Sequence, residues 1–205
     1  MVQLTNVNSL CAVGLVGNTD VVRLKEMVNR PLYFLPTLPP SVPGIRLQFM
    51  LKKYFQKLGG TYMLGDTVTA GEFEDGKLKS ITTQNHGDVK FEADNFILAS
   101  GNFFSKGLAS DIDGVYEPVF GLDMDSIAER PQWYKRNMFE SQPYMSFGVS
   151  TDKEFKTSKD GKTIDNLYAA GAVLSGFNAM KEGSGAGISI LTALYVSSLI
   201  LNSNE

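Results

Sequence analysis

The spacing of apolar and polar positions changes along this chain, and the changes divide it into elements. Leu10–Val16 is an unbroken apolar run ending at Gly17, the pattern of a short buried strand. Asn18, Thr19 and Asp20 follow, and their side chains suit the cap of a helix over about 21–28. Leu32–Leu35 is a second apolar run, stopped by Pro36, Pro39, Pro40 and Pro43. Strand, helix and strand in that order predict a fragment of an α/β layer.

The clearest helical signal follows Pro43-Gly44. Leu47, Met50, Leu51, Tyr54, Phe55 and Leu58 recur three and four residues apart on one face, opposite Arg46, Lys52, Lys53, Gln56 and Lys57. Gly59-Gly60 closes the helix. The pattern predicts a core helix on a sheet, in preference to a membrane-surface or calmodulin-type target helix.

From Gly60 to Gly101 the period falls to two. Val68 and Ala70 lead to Asp75-Gly76, a strong hairpin turn. Leu78–Thr83 runs back, Asn85-His86-Gly87-Asp88 turns again, and Val89–Phe91 completes an antiparallel β-meander. Phe96–Ala99 is continuously apolar, as expected of a strand buried on both faces, and stops at Ser100-Gly101. Residues 102–162 have no clear period and are read as a cap-like insertion, with Trp133, Pro118, Pro131 and Pro143 among them. Asn166–Ala170 is again a buried strand, and the glycine-rich stretch after it opens a last helix over about 186–201. The apolar part of that helix, Ile188–Leu201, is 14 residues interrupted by Thr192, Ser197 and Ser198. A bilayer needs ~20 residues, so a buried helix and no membrane span are expected.

Composition narrows the function classes. Across 205 residues, 19 Lys+Arg stand against 22 Asp+Glu, a net charge of −3, which argues against a nucleic-acid binder. A single cysteine, Cys11, and a single histidine, His86, exclude a disulfide framework and a thiolate- or His-rich metal site. The N-terminus has no basic region before its apolar run, so it does not read as a signal peptide. A cytoplasmic protein with a reduced Cys11 is the expectation.

The last forty residues carry the main chemical signal. A buried strand ends at Gly171, and Gly183-Ser184-Gly185-Ala186-Gly187 then opens an apolar helix. Glycines admit a flat or phosphorylated ligand close to the backbone. The first turn of the helix offers unpaired N–H groups and a partial positive charge. A reduced flavin carries negative charge at N1 and its C2 carbonyl, which suits such a helix start. The alternative is a helix packed tightly on a sheet through its glycines. Elsewhere, His86 reads as a solvated turn residue, Cys11 as an inert thiol, Phe103 and Phe104 as core, and Lys106, Lys135 and Arg136 as surface cations.

Several segments point to a family. Ala93–Gly101 resembles the strand that follows the meander of two-dinucleotide flavoproteins, and Asn166–Gly171 resembles their last strand. LPTLPPSVPGIRLQ (Leu35–Gln48), LASGNFFSKGL (Leu98–Leu108), EPVFGLD (Glu117–Asp123), Trp133-Tyr134-Lys135, QPYMSFGVSTD (Gln142–Asp152) and NLYAAGAVLSGF (Asn166–Phe177) occur in that order. In this order they resemble the C-terminal half of the B subunits of anaerobic glycerol-3-phosphate dehydrogenases.

The resemblance implies an incomplete FAD/NAD(P)-binding, Rossmann-like α/β layer, with residues 1–101 and 163–205 in the flavin-binding domain and 102–162 inserted. It implies FMN or FAD as cofactor, with electrons relayed during quinone-linked oxidation of sn-glycerol 3-phosphate to dihydroxyacetone phosphate. The implied partners are the other two chains of such a dehydrogenase, its catalytic A chain and its iron–sulfur C chain. Through them the protein would lie peripherally at the inner membrane, and a homodimer of the fragment would cover its open sheet edge. The expected flavin contacts are Ser100 and Gly101 on one strand end, Gly171 and Ala172 on the other, and Gly183, Ser184, Gly185, Ala186 and Gly187 at the helix start. No residue is assigned as a catalytic acid or base.

Two departures stand out. Ala172 occupies the position where such flavoproteins often carry a carboxylate for a ribityl hydroxyl. No strand–GxGxxG–helix occurs near the N-terminus, Gly14 and Gly17 being too close together to serve. The competing expectations are a flavin-free assembly module and an FAD-dependent oxidoreductase for another substrate.

Overall fold

A computed structural model describes residues 8–13, 18–35 and 42–203. The chain divides into two compact units, Met1–Gly65 and Asp66–Glu205. In the first, β1 (Leu10–Val13), α1 (Asn18–Met27) and β2 (Leu32–Leu35) follow one another. The two strands pair in parallel, Leu10 opposite Leu32 and Val13 opposite Leu35. Asn18, Thr19 and Asp20 lie inside α1 and do not precede it, because the first turn has the same unpaired N–H groups that favour these residues at a cap. Gly14–Gly17 and the first three prolines of the proline cluster lie outside the described residues.

Helix α2 (Val42–Lys57) takes Pro43 into its first turn, where a missing N–H costs nothing. It closes as its glycines predict: Gly59 has φ +90° and the Gly60 N–H donates to the Phe55 carbonyl at 3.1 Å. The expected core-facing stripe is not buried. Leu47, Met50, Leu51, Tyr54, Phe55 and Leu58 are all exposed. Periodicity specifies which face is apolar, and burial needs a surface to receive that face. Among the described residues none buries it.

The second unit begins with β3 (Val68–Glu74), β4 (Lys77–Thr83) and β5 (Phe91–Glu92), an antiparallel sheet in that order. Asp75 and Gly76, at φ 49° and 77°, make the hairpin turn between the first two strands. Then come β6 (Phe96–Leu98), the paired β7 (Ala109–Ser110) and β8 (Val115–Tyr116), and β9 (Met124–Asp125), which pairs with β10 (Gly148–Val149). Strands β11 (Lys156–Lys159) and β12 (Lys162–Ala169) join β6 in a sheet ordered β11-β12-β6. Helices α3 (Ala179–Glu182) and α4 (Gly185–Asn202) end the described chain.

The core gathers around β12, where Leu167, Ala169 and Val173 are buried with Leu78, Leu108 and Val149. Strand β6 departs from its expected burial on both faces: Leu98 is buried, but Ile97 is exposed. Neighbouring side chains point to opposite faces, and among the described residues the face that carries Ile97 is left uncovered. Between β6 and β11 the chain holds itself by side chain–backbone bonds. The buried Glu117 carboxylate accepts the N–H groups of Val119, Phe120 and Gly121 at 2.9, 2.7 and 3.1 Å, and the Trp133 indole N–H donates to the Ile127 carbonyl at 2.5 Å.

Helix α4 also departs from expectation. It runs 18 residues and is long and apolar enough to cross a membrane by length and composition. It is not a buried helix: Thr192 and Val196 alone are buried along it, while Ile190, Leu191, Leu194, Tyr195 and Leu201 are exposed. Apolar residues surround the helix, so its composition does not mark the one narrow stripe that packs.

Candidate functional site

Strands β6 and β12 pair in parallel with Leu98 opposite Ala169, and the Ala170 N–H donates to the Leu98 carbonyl at 3.0 Å. Their carboxyl ends therefore open on the same edge, bringing Ser100-Gly101 beside Gly171-Ala172. The edge beyond the carboxyl ends of parallel strands is where α/β sheets bind ligands.

At the β6 end the chain turns back on itself. Gly101 has φ +83°, and Gly107 passes so close to the Ser100 and Gly101 carbonyls that a Cβ there would collide with backbone. Asn102 caps the next turn by accepting the Phe104 N–H at 3.1 Å. Ser100 lines a cavity of about 570 Å³ together with the polar Asp66, Thr67 and Lys106 and the apolar Phe96, Leu98, Val119 and Phe120. Its Oγ is buried and, among the described residues, is the single buried side-chain polar atom without a hydrogen-bond partner. A buried hydroxyl in that state costs free energy unless a ligand completes it.

At the β12 end, Gly171 is buried with φ +76°, a conformation that strains any residue with a side chain. Its N–H donates to Thr192 Oγ1 at 2.9 Å, so it is not available to a ligand. Ser189 of α4 lies against it, its Oγ 3.3 Å from where a Cβ would stand.

The glycine-rich loop follows α3, which Asn178 caps by accepting the Lys181 N–H at 3.0 Å while Glu182 accepts the Asn178 N–H at 3.0 Å. Gly183 ends α3 at φ +63°. Ser184 precedes α4 without a side-chain cap; its hydroxyl donates to Glu182 at 3.2 Å, and its carbonyl accepts the Ile188 N–H at 2.9 Å. The N–H groups of Gly185, Ala186 and Gly187 come before that first helical bond and have no acceptor within the helix. A Cβ at Gly187 would meet nothing within 4 Å, and one at Gly185 only ordinary contact with Ala179. Tight packing of the helix start on a sheet therefore does not account for these glycines. The cavity at Ser100 is lined by none of Gly171, Ala172 and residues 183–187. Taken separately, the partnerless buried hydroxyl and the open donor-rich backbone each suit a flavin, whose ring carbonyls and ribityl hydroxyls need such partners.

The other candidates resolve individually. His86 is partly exposed in its turn, but its Nδ1 lies 2.6 Å from Asp66 Oδ2 and 3.0 Å from the Thr83 hydroxyl. Asp66 also accepts the N–H groups of Thr67 and Asn85 at 2.9 and 3.1 Å. The Thr83 hydroxyl above all, then these N–H groups and the His86 ring, hold the Asp66 carboxyl at about 2, against a desolvation that acts upward. Phe103 packs on the core and meets Tyr144 edge-on, whereas Phe104 is exposed. Lys106, Lys135 and Arg136 are exposed. Cys11 lies in β1. Among the described residues no group of His, Cys, Asp and Glu could hold a metal ion.

Sequence reasoning does not single out Thr192, which reads only as an interruption of an apolar run. It is one of four serine and threonine residues in that run, with Ser189, Ser197 and Ser198, and nothing in the sequence sets it apart. The Asp66–His86 pair, separated by 20 residues, leaves no signal either.

Residues 16–188 match the FAD binding domain family, and the chain belongs to it. The protein is thus a member of a flavin-binding α/β class. Among curated proteins it is similar to the B subunit of the anaerobic glycerol-3-phosphate dehydrogenase of Yersinia pseudotuberculosis, 41% identical over 190 residues, covering 93% of this chain and 45% of the relative. The protein of the same name from Vibrio vulnificus is 44% identical over 187 residues, 88% of this chain and 43% of its own length. That from Aliivibrio fischeri is 40% identical over 197 residues, with 90% and 43% covered. The chain thus spans less than half the length of the curated relatives it matches. No solved structure matches it.

Proposed function

We propose that the chain supplies part of the flavin site in the B subunit of a glycerol-3-phosphate dehydrogenase. The whole protein would serve quinone-linked oxidation of sn-glycerol 3-phosphate to dihydroxyacetone phosphate. The observation that carries this reading is the buried Ser100 hydroxyl without a partner, at a strand end that adjoins the Gly171 turn. A bound flavin supplies one- and two-electron redox chemistry.

The residues of this chain hold and orient it. Ser100 would donate to a flavin oxygen, with the Gly101 turn keeping that hydroxyl in place. Gly171 and Ala172 line the neighbouring strand end without a carboxylate. The N–H groups of Gly185, Ala186 and Gly187, with Gly183 and Ser184 before them, would hold the flavin by offering donors to its electron-rich carbonyls. The task of this chain in the reaction is to position the ring and to stabilise the charge of the reduced flavin.

The finer organisation belongs to the same proposal. Residues 1–101 and 163–205 form a Rossmann-like flavin-binding layer with its β-meander, and 102–162 form a cap-like insertion. The partners are the catalytic A chain and the iron–sulfur C chain of the same dehydrogenase, and the complex sits in the cytoplasm, peripheral to the inner membrane. FMN and FAD both satisfy the contacts named.

Purified chain titrated with FMN and with FAD tests cofactor binding directly by visible absorbance. Glycerol-3-phosphate:dye activity, measured with and without the partner chains, tests the assigned reaction. Activity on another substrate alone would favour a stand-alone oxidoreductase.

A further inference from the structure

We infer that the Thr192 hydroxyl is a positioning group that locks the Gly171–Ala172 turn to the first turn of α4 and so sets the affinity of the flavin site. The role rests on the flavin reading above, and it concerns a residue that touches no ligand.

Thr192 sits about two turns into α4 in its packed stripe, one turn before the fully buried Val196. Its hydroxyl donates to the Ile188 carbonyl at 2.6 Å, which turns the oxygen lone pairs toward the strand end. There it accepts the Gly171 N–H at 2.9 Å. That N–H is buried and belongs to a residue at φ +76°. The neighbouring N–H of Ala170 is already committed to Leu98, and the Gly171 carbonyl accepts from Leu174 at 3.2 Å. The Thr192 oxygen is therefore the group that completes the turn.

A second hydroxyl borders the same turn. Ser189 lies against Gly171 and donates to the carbonyl of Gly185, the first residue of α4, at 3.0 Å. Through Thr192, with Ser189 bracing the Gly185 carbonyl, the strand end and the start of α4 hold one spacing. A hydroxyl in a mostly apolar helix stripe has no packing advantage over valine, which has the same shape, so its value lies in this link.

The test is an FAD titration of the 205-residue chain as wild type, Thr192→Val, Thr192→Ala, Thr192→Ser and Val196→Ala, read by visible absorbance and visible circular dichroism. Thr192→Val and Thr192→Ala are expected to bind FAD about ten-fold more weakly, with an altered dichroism band of the bound flavin, for loss of one buried hydrogen bond. Thr192→Ser keeps the hydroxyl and restores affinity to within about two-fold. Val196→Ala lowers the thermal midpoint but leaves the affinity of the folded chain unchanged.

Wild-type affinity and dichroism in Thr192→Val would overturn the role while leaving the flavin site standing. So would a Thr192→Ser as weak as Thr192→Val, or a Val196→Ala equally weak. Should Thr192→Val not fold, the Ala and Ser variants decide by the same criteria. Failure of the wild-type chain to take up FAD overturns flavin binding by this chain and this role with it.

Discussion

The side-chain amide of Asn166 takes both backbone groups of Leu78: Oδ1 accepts the Leu78 N–H and Nδ2 donates to the Leu78 carbonyl, each at 2.8 Å. The same Nδ2 donates to the Asp94 carbonyl at 3.0 Å. Asn166 is thus used as a peptide unit, and it fastens the antiparallel sheet at β4 to β12 and to the approach of β6. Leu78 belongs to β4, and Asp94 to the link between β5 and β6. Asn166→Ala would leave buried backbone groups unpaired, and the expected loss is about 3 kcal/mol of unfolding free energy. Urea unfolding followed by circular dichroism measures it; a loss below about 1 kcal/mol would mean that water or neighbouring groups replace the amide.

Gly187→Ala separates ligand from packing. The position lies in the first turn of α4 with nothing within 4 Å of a new Cβ. Alanine favours a helix over glycine by about 0.5–1 kcal/mol, so the flavin-free chain should be stabilised slightly. Flavin affinity should fall, because the added methyl enters the space the ring approaches. Gly185→Val, next to Ala179, should abolish binding outright. Thermal unfolding and FAD titration on the same samples check both signs.

Ser100→Ala makes the complementary case. The hydroxyl has no partner among the described residues, so removing it should leave the flavin-free chain as stable or slightly more so. If the hydroxyl completes the flavin, affinity should drop about five-fold. Unchanged affinity would remove Ser100 from the site.

Asp66 gives the second unit an acid-sensitive clamp. Its folded value of about 2 lies below the ordinary 3.8. The depressed carboxyl therefore contributes stability in full above about pH 4 and loses it as pH falls toward 2. Asp66→Asn should flatten the stability curve over that window and leave its slope above about pH 5 unaltered, as read by urea unfolding at successive pH values.

How far the sequence revealed this molecule depended on distance along the chain. Turns that need a positive φ within two residues, such as Asp75-Gly76, were legible because the requirement is local. So was the apolar stripe of α2, since a 3.6-residue period is local too. Its burial was not legible, nor was that of Ile97 or the outer faces of α4, because burial depends on what lies opposite. Residues 102–162 were opaque for another reason. Their order comes from single polar side chains, as when Glu117 gathers three N–H groups, and not from a repeating pattern. The candidate site is legible as two strand ends and a helix start. That Ser100 and Gly171, 71 positions apart in the numbering, share an edge needed the parallel register of β6 and β12. The Thr192 link needed the fold.

The most direct test of the central claim is a visible-absorbance titration of the purified 205-residue chain with FAD and FMN. The two strand ends and the helix start predict saturable uptake, with a shifted and dichroic flavin band that Gly187→Ala weakens. A flavin spectrum that stays that of free cofactor at every protein concentration would contradict it.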